Sequence, residues 1–478
     1  MQYKADETIN KFINIGIKIC MLTGDKLETS KNIATSCKLI TRDMDLIHVE
    51  YNKIFDYNPT KNLKNYLNSL KLKIDDNNDK KYCLLINGDT LVNILASEET
   101  IKIFCELFIK CNSIICSRVD PKQKAKMVNI IKSTNSGVCL AIGDGANDIG
   151  MITEANVGIG IHGIEGSEAA RVSDYSINQF YHLQKLLLYH GREAYRKNSY
   201  YILYNFYKNI IFVSPMFFFG FINFFSGVTL YEPFLHQLYN VFYSIFPIFY
   251  FSIFDREYES EFMLENPNLY IQGMNDECFN ILIFIRHMFF GFLDGLLLMV
   301  SSFIVFYFNN NNGYLLNHLY SFGTAIFSGI IIIVNLKVLI NSKIIDIFII
   351  FLIFLSIFSF FIGVILFSGE NIYFISLPNQ FLSNYYIIGD YTYIINDKKY
   401  LLFVLLIIGS VVIFDNLFNQ IIFLIKSKCG NNINRINNNL LIEDDSEEKL
   451  ENNYKNLNRE DNKKEYELHF INDSDDYE

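Results

Sequence analysis

Val138-Cys139-Leu140-Ala141-Ile142-Gly143-Asp144-Gly145-Ala146-Asn147-Asp148 is an apolar run that breaks into a glycine-rich turn carrying two carboxylates and an amide. A short apolar run bounded by glycine reads as a buried strand, and the Gly-Asp-Gly turn after it opens a helix. Working outward, Ile17–Leu22, Tyr82–Ile86, Ser113–Ser117 and Val157–Ile161 repeat the strand signal, with amphipathic stretches between them. Strands alternating with helical patterns predict a parallel sheet in an α/β layer fold. Residues 41–81, rich in Asn, Asp and Lys, read as a surface insertion in it.

Two further strand ends carry chemistry. Met21-Leu22-Thr23-Gly24-Asp25-Lys26 is again strand, tight turn and helix start, where a hydroxyl and backbone N–H groups can receive a phosphate. Arg118-Val119-Asp120-Pro121-Lys122-Gln123-Lys124 places a guanidinium and an ammonium just after another strand. Asp144 and Asp148, with Asn147 between them, offer oxygen ligands to a hard cation. Any one of these strings reads equally well as a polar surface turn. The C-terminal ends of parallel strands converge on one crevice, however, and there the hydroxyl, cations and carboxylates form a phosphoryl-transfer constellation with a magnesium site.

The rest of the chain has a different composition. Overall it has 51% hydrophobic and 16% aromatic residues with no Trp, which excludes disordered, collagen-like and small disulfide-scaffold classes. After residue 200 come long stretches almost free of charge, each near the ~20 apolar residues that a bilayer-spanning helix needs. They predict an all-α membrane domain over 200–427 with six spans, near 200–222, 230–253, 279–307, 319–340, 345–367 and 401–425. With residues 1–199 cytosolic, six spans return the tail to the cytosol. Arg256, Lys337, Lys343, Lys426, Lys428 and Arg435 then fall inside, whereas Lys398 and Lys399 fall outside against the trend. All nine cysteines land on the cytosolic side, so no disulfide is expected. Residues 428–478 hold 7 Lys and Arg against 14 Asp and Glu and read as an acidic, Asn-rich, disordered cytosolic tail. Residues 1–199 balance 26 against 23, which leaves no basic footprint for nucleic acid.

Taken together, the strings Thr23-Gly24-Asp25, Asp120-Pro121-Lys122-Gln123-Lys124 and Gly143-Asp144-Gly145-Ala146-Asn147-Asp148 resemble the signatures of the P-type ATPase phosphorylation domain. Ile17–Lys26, Ser173-Asp174-Tyr175-Ser176-Ile177, His190-Gly191-Arg192 and Ile202–Asn209 narrow the resemblance to the type IV, phospholipid-flipping branch, from about residue 5 to 425. Glu168 and Asp120 depart from the residues usual there, Gln and Ser. The resemblance implies a haloacid-dehalogenase-like, Rossmann-like α/β fold for a partial phosphorylation domain, 1–199. It also implies ATP and Mg²⁺ as cofactors, phospholipid as substrate, a two-span accessory subunit, and residence in the plasma membrane or endomembranes. Carried over, Thr23, Gly24, Asp25, Arg118, Lys124, Asn147 and Asp148 would contact nucleotide and phosphoryl group. Asp144, supported by Asp148, would hold the magnesium, and Lys124 would neutralise charge on the phosphoryl group. The family's phosphorylated aspartate lies in an Asp-Lys-Thr-Gly-Thr string, and no Asp-Lys-Thr-Gly occurs in the 478 residues. The chain is therefore expected to be a C-terminal portion that does not form the phosphoenzyme alone. A non-catalytic half-pump that binds lipid or a partner is the alternative.

Lys208 in the first span is a lipid-path position by the same resemblance, and a cation at that depth is a functional candidate on general grounds. Its bland reading is a lysine snorkelling to the interface. Asn205 and Asn240 offer amides to a headgroup, or serve as helix-packing glue. Pro215 and Pro247 can open helices and free carbonyls. Glu232 is the only acid between Lys208 and Asp255, which argues against a cation pump. Asp294 is expected to pair with Arg286 or a neighbouring helix, and Asp415 is ambiguous.

Overall fold

The computed structural model describes residues 2–49, 59–76, 80–134, 137–163, 167–306, 319–368 and 398–413. Asp415, the polar tract Asn309–Gly313 and the acidic tail lie outside the described residues. Through residue 184 the order is α1 (Ala5–Asn14), β1 (Ile19–Leu22), α2 (Leu27–Ser36), β2 (Met44–Val49), α3 (Pro59–Asp75), β3 (Lys81–Asn87), α4 (Gly88–Ile94), α5 (Glu98–Lys110), β4 (Ser113–Ser117), α6 (Pro121–Thr134), β5 (Leu140–Gly143), α7 (Ile149–Glu154), β6 (Val157–Ile161), α8 (Glu168–Val172), β7 (Tyr175–Ile177) and α9 (His182–Gln184). Then follow α10 (Arg192–Ile222), α11 (Pro233–Leu238), α12 (Ile245–Phe254), α13 (Ser260–Glu265), α14 (Ile271–Met274), α15 (Ile281–Phe306), α16 (Leu319–Asn341) and α17 (Ile347–Ser368). Residues 398–413 are also helical.

The strands form two parallel sheets, ordered β1-β4-β3-β2 and β5-β6-β7. β4 lies inside the first sheet and all five of its residues are buried, as expected of a parallel strand covered on both faces. Leu84, Ile86, Ile114 and Cys116 pack under α3, α4 and α5 in one core, while Cys83, Leu85 and Ile115 pack on the other face against Ala34 and Leu39. The single sheet expected from the sequence is thus corrected to two. Among the described residues, backbone hydrogen bonds join β1 only to β4 and β5 only to β6. Side chains link the two edges instead: Ile19 shares a core with Leu140 and Ile142, and Leu22 packs with Ala141 and Cys139.

Residues 41–81 also carry more structure than their composition announces. β2 adds an edge strand paired along its length with β3, and Leu63, Leu67, Leu70 and Ile74 of α3 are buried. The polar residues that dominate the composition occupy the outer face of that helix, where Lys64 and Lys71 meet Glu99 and Glu106 of α5.

Contacts divide the chain into two compact units, residues 1–209, 245–290 and 338–353 in one, and 210–244, 291–337 and 354–478 in the other. Among the described residues three helices are long and apolar enough to cross a membrane, Ile281–Phe306, Ser321–Asn341 and Ile347–Leu366. In the second unit, close backbone approach relies on small residues. A Cβ on Gly295 of α15 would stand 1.7 Å from Ser214 Oγ of α10, and one on Gly323 of α16 would stand 1.8 Å from the carbonyl oxygen of Leu230.

Candidate functional site

The turn after β1 and the turn after β4 are laced together through their backbones. Thr23 N–H donates to the carbonyl of Cys116 (2.9 Å), Val119 N–H to that of Thr23 (3.0 Å), and Arg118 N–H to that of Asp25 (3.0 Å). Within the first turn, Asp25 N–H donates to Thr23 Oγ1 at 3.2 Å. Gly24, Asp25 and Arg118 are exposed and Thr23 is half-buried, so one open rim carries the hydroxyl, the carboxylate and the guanidinium. Arg118 holds a left-handed backbone, φ +52°. A non-glycine residue there is strained, and such outliers persist where their surroundings over-determine them. Here Gly88 contributes: its hydrogen faces the Arg118 carbonyl where a Cβ would stand 2.0 Å from that oxygen.

Lys124, on the first turn of α6, reaches across to the third string. Its Nζ donates to Asp148 Oδ1 at 2.9 Å, with both side chains largely shielded at 11% and 15% exposure. Asp148 closes a short 3₁₀ turn, Ala146–Asp148, and its N–H donates to the Gly145 carbonyl. Gly143 makes this possible, since a Cβ there would lie 2.3 Å from Asp148 Cβ and 2.7 Å from Oδ2. Asp144 and Asn147 are exposed on the same turn. The structure therefore brings Lys124 to Asp148 and ties the Thr23–Asp25 turn to Arg118 and Val119 through the backbone. The two cradling glycines were the unforeseen part, because nothing in their spacing marks which neighbour they accommodate.

The donor set suits magnesium. Mg²⁺ takes one or two carboxylates and keeps several waters or phosphate oxygens, and two aspartates on one turn meet that need. Among the described residues no group of three or more His, Cys, Asp or Glu could hold a metal, so a closed all-protein cage is not on offer.

In the helical part, Lys208 is buried in α10, Asn205 donates its amide to the Tyr201 carbonyl one turn back, and Asn240 is exposed. Glu232 is engaged as a helix cap: its Oε2 accepts from Leu235 N–H at 2.7 Å. Pro215 leaves α10 continuous, whereas α11 passes through a π-helical stretch, Tyr239–Tyr243, and breaks at Ser244 ahead of Pro247. Pro247 has no N–H to give the Tyr243 carbonyl four residues before it, and Asn335 Nδ2 takes that place at 3.0 Å. Asp294 pairs with Lys337 of α16 at 3.4 Å, which selects the neighbouring helix over Arg286.

At the N-terminal end of α10, Arg196 bridges Glu193 and Asp255 at 2.8 Å each. Asp255 Oδ1 accepts from the N–H groups of Lys343 and Ile344, and Arg192 bonds Glu257, Gln272 and the Leu269 carbonyl. Four segments are thereby tied around two guanidinium groups. Nothing in the sequence announces this network, because its members are scattered from Arg192 to Ile344.

Residues 170–427 match a family model described as phospholipid-translocating P-type ATPase C-terminal. A phospholipid-transporting ATPase of Schizosaccharomyces pombe is 39% identical over 334 residues, covering 69% of this chain and 26% of that protein. Phospholipid-transporting ATPase DRS2 of Saccharomyces cerevisiae is 35% identical over 339 residues (70% and 25%), and phospholipid-transporting ATPase IC of Xenopus tropicalis is 34% identical over 347 (64% and 27%). The chain spans about a quarter of the length of these curated relatives. With more than half of its residues under one family's model, from α8 past the last described helix, the chain belongs to the phospholipid-translocating P-type ATPases and carries their C-terminal region.

Proposed function

We propose that this chain supplies the magnesium- and phosphate-handling rim and the lipid-facing helices of an ATP-driven phospholipid translocase that moves lipid from the outer to the cytosolic leaflet. The observation that carries this is Lys124 Nζ held 2.9 Å from Asp148 beside the turn that presents Asp144. An ammonium fixed on a carboxylate next to a cation site neutralises charge on a transferring phosphoryl group with no reorganisation at the moment of reaction. Asp144 with Asp148 would hold Mg²⁺, which when bound adds charge neutralisation at the phosphate oxygens. Thr23, Gly24, Asp25, Arg118 and Asn147 would contact nucleotide and phosphoryl group. The acceptor aspartate comes from outside these residues, since no Asp-Lys-Thr-Gly occurs in the sequence.

Lipid rather than a cation is the cargo in this reading. Glu232, the only acid between Lys208 and Asp255, is bound to a helix N-terminus, leaving no carboxylate at mid-depth there to replace an ion's hydration shell. Lys208, Asn205 and Asn240 serve the headgroup instead. The fold is the haloacid-dehalogenase-like phosphorylation domain followed by six spans, with α10, the α11–α12 pair and the 401–425 stretch added to the three helices already long enough to cross. Residues 1–199 and the tail face the cytosol of a plasma membrane or endomembrane protein, and a two-span accessory subunit accompanies it.

The test is ATP-dependent, headgroup-selective uptake of labelled phospholipid by cells producing the gene's native product. Lys124→Ala should abolish uptake, and Lys208→Ala should impair lipid-stimulated turnover more than nucleotide binding. ATP turnover coupled to cation flux would overturn the reading. Radiolabel from ATP should not reach the 478-residue chain alone, and a hydroxylamine-sensitive label on it would refute that part.

A further inference from the structure

The turn after α10 is built from phenylalanine where turns ordinarily use glycine or asparagine. Asn223 N–H closes the helix on the Phe219 carbonyl, and Phe225 N–H reaches back to that of Gly220 at 2.8 Å. Phe224 and Phe225 both hold left-handed backbone, φ +53°. Each costs of the order of 1–2 kcal/mol relative to glycine. The turn points Phe224 fully outward at 91% exposure. Phe225 instead lies back on Gly220, where a Cβ would stand 2.7 Å from its ring, and its ring meets that of Phe221 at 5.2 Å. Phe221 meets Phe217 at 5.2 Å in turn, so a ladder of rings joins the tip to the lateral surface of α10.

A loop bathed in water has no use for this arrangement. Residues 209–231 contain no charged side chain, and exposed Phe224, Phe225 and Val228 would form an apolar patch with nothing to solvate it. Exposed Phe side chains next to a bilayer bury themselves at the boundary between headgroups and acyl chains. We infer that Phe224 and its neighbours insert into the outer leaflet as an anchor that fixes the depth of the α10–α11 turn. The inference rests on the proposal that α10 crosses the membrane. Its occupant is lipid, because the patch is continuous with the ring ladder on the side of that helix and offers no charge for a protein partner to read.

The absence of tryptophan makes the test direct, because each substitution creates a single tryptophan that can be excited to the red of the 31 tyrosines. The 478-residue chain carrying Phe224→Trp would be reconstituted in phosphatidylcholine vesicles containing lipids brominated near the glycerol end of their chains. Quenching by roughly twofold or more, with little quenching by aqueous iodide, is the expected result for an interfacial aromatic. Iodide quenching without bromolipid quenching would overturn the anchor by placing the tip in water. Protection from both would overturn it in favour of a protein-covered tip. Val228→Trp reads the same loop should the first substitution disturb the turn. Val213→Trp, near the middle of the proposed span 200–222 and 56% exposed, reports the crossing separately through lipids brominated near the chain ends. Loss of that signal alone would strike the spanning proposal.

Discussion

Asp148 occupies its place because two other residues yield to it. Gly143 withholds a Cβ, and Lys124 supplies the countercharge. Gly143→Ala should therefore displace the carboxylate and cost about 1–3 kcal/mol, the usual range for overpacking a closed site. Its effect would be read as a lowered denaturation midpoint together with a weakened response of the 478-residue chain to Mg²⁺. Gly145→Ala on the same turn meets only ordinary contact, 3.9 Å from Asn147 N, and should leave the midpoint nearly unchanged. Acidic and basic partners were legible here because the chemistry needs those residue types at strand ends. The glycine's role was not, since a missing Cβ acquires meaning only when the three-dimensional neighbour is known. Cys111 shows a second residue-scale effect, burial pushing its thiol up to about 12. The folded state holds this proton more tightly than the unfolded chain, whose thiol titrates near 8.5. Its contribution is fully present below that pH and is lost as pH rises toward about 12. Thermal midpoints in detergent should fall across this alkaline window, and less steeply in Cys111→Ala. Equal slopes in the two proteins would remove Cys111 from the account.

Helices α3 and α5 run side by side with a constant offset, Lys64 on Glu99, Lys71 on Glu106 and Asp75 on Lys110. The repeat of seven between the first two pairs keeps them on one face of each helix. Exposed pairs of this kind are worth little, so Glu106→Lys should shift stability by less than about 1 kcal/mol. Leu67→Ala on the buried side of α3 should cost about 2–5 kcal/mol, because Leu67 is completely enclosed. Chemical denaturation of the two variants would rank them, and a larger loss from the charge reversal would mean the ladder, not the core, holds α3. The composition of residues 41–81 concealed this helix. Its apolar positions, Leu63, Leu67, Leu70 and Ile74, follow helical spacing but are diluted by Asn and Lys. The three long apolar helices were legible for the opposite reason, since length and lack of charge announce them directly. What stayed hidden was how a break is made good. Pro247 foretold a freed carbonyl, but only the fold shows Asn335 of α16 arriving to bond it.

At the scale of the molecule, the α/β part and the three long apolar helices draw on different sources of stability. Seven strands and their covering helices bury apolar cores out of water, and urea weakens such burial directly. Helices Ile281–Phe306, Ser321–Asn341 and Ile347–Leu366 complete their backbone hydrogen bonds within themselves, and a bilayer or detergent micelle denies urea the surface it would need to solvate. Unfolding should accordingly be stepwise, which a single two-state midpoint would misdescribe. Limited proteolysis of the detergent-solubilised chain over rising urea should first release cleavages between β1 and β7, within Ile19–Ile177, while the three apolar helices remain intact. All of α12, the start of α15, the end of α16 and the start of α17 belong to the first unit, and the Arg192, Arg196 and Asp255 network lies wholly inside it. Asp255→Asn weakens the Arg196 contact and keeps the acceptor oxygen for Lys343 and Ile344, whereas Asp255→Ala removes both. If the network joins the soluble part to the ends of the helices, Asp255→Ala should bring cleavage near residue 343 down to the urea concentration at which the strands are lost, and Asp255→Asn should do so less. Simultaneous loss of strands and apolar helices in the unmutated chain would instead show one cooperative body, with the lipid-facing helices depending on the α/β part for their fold.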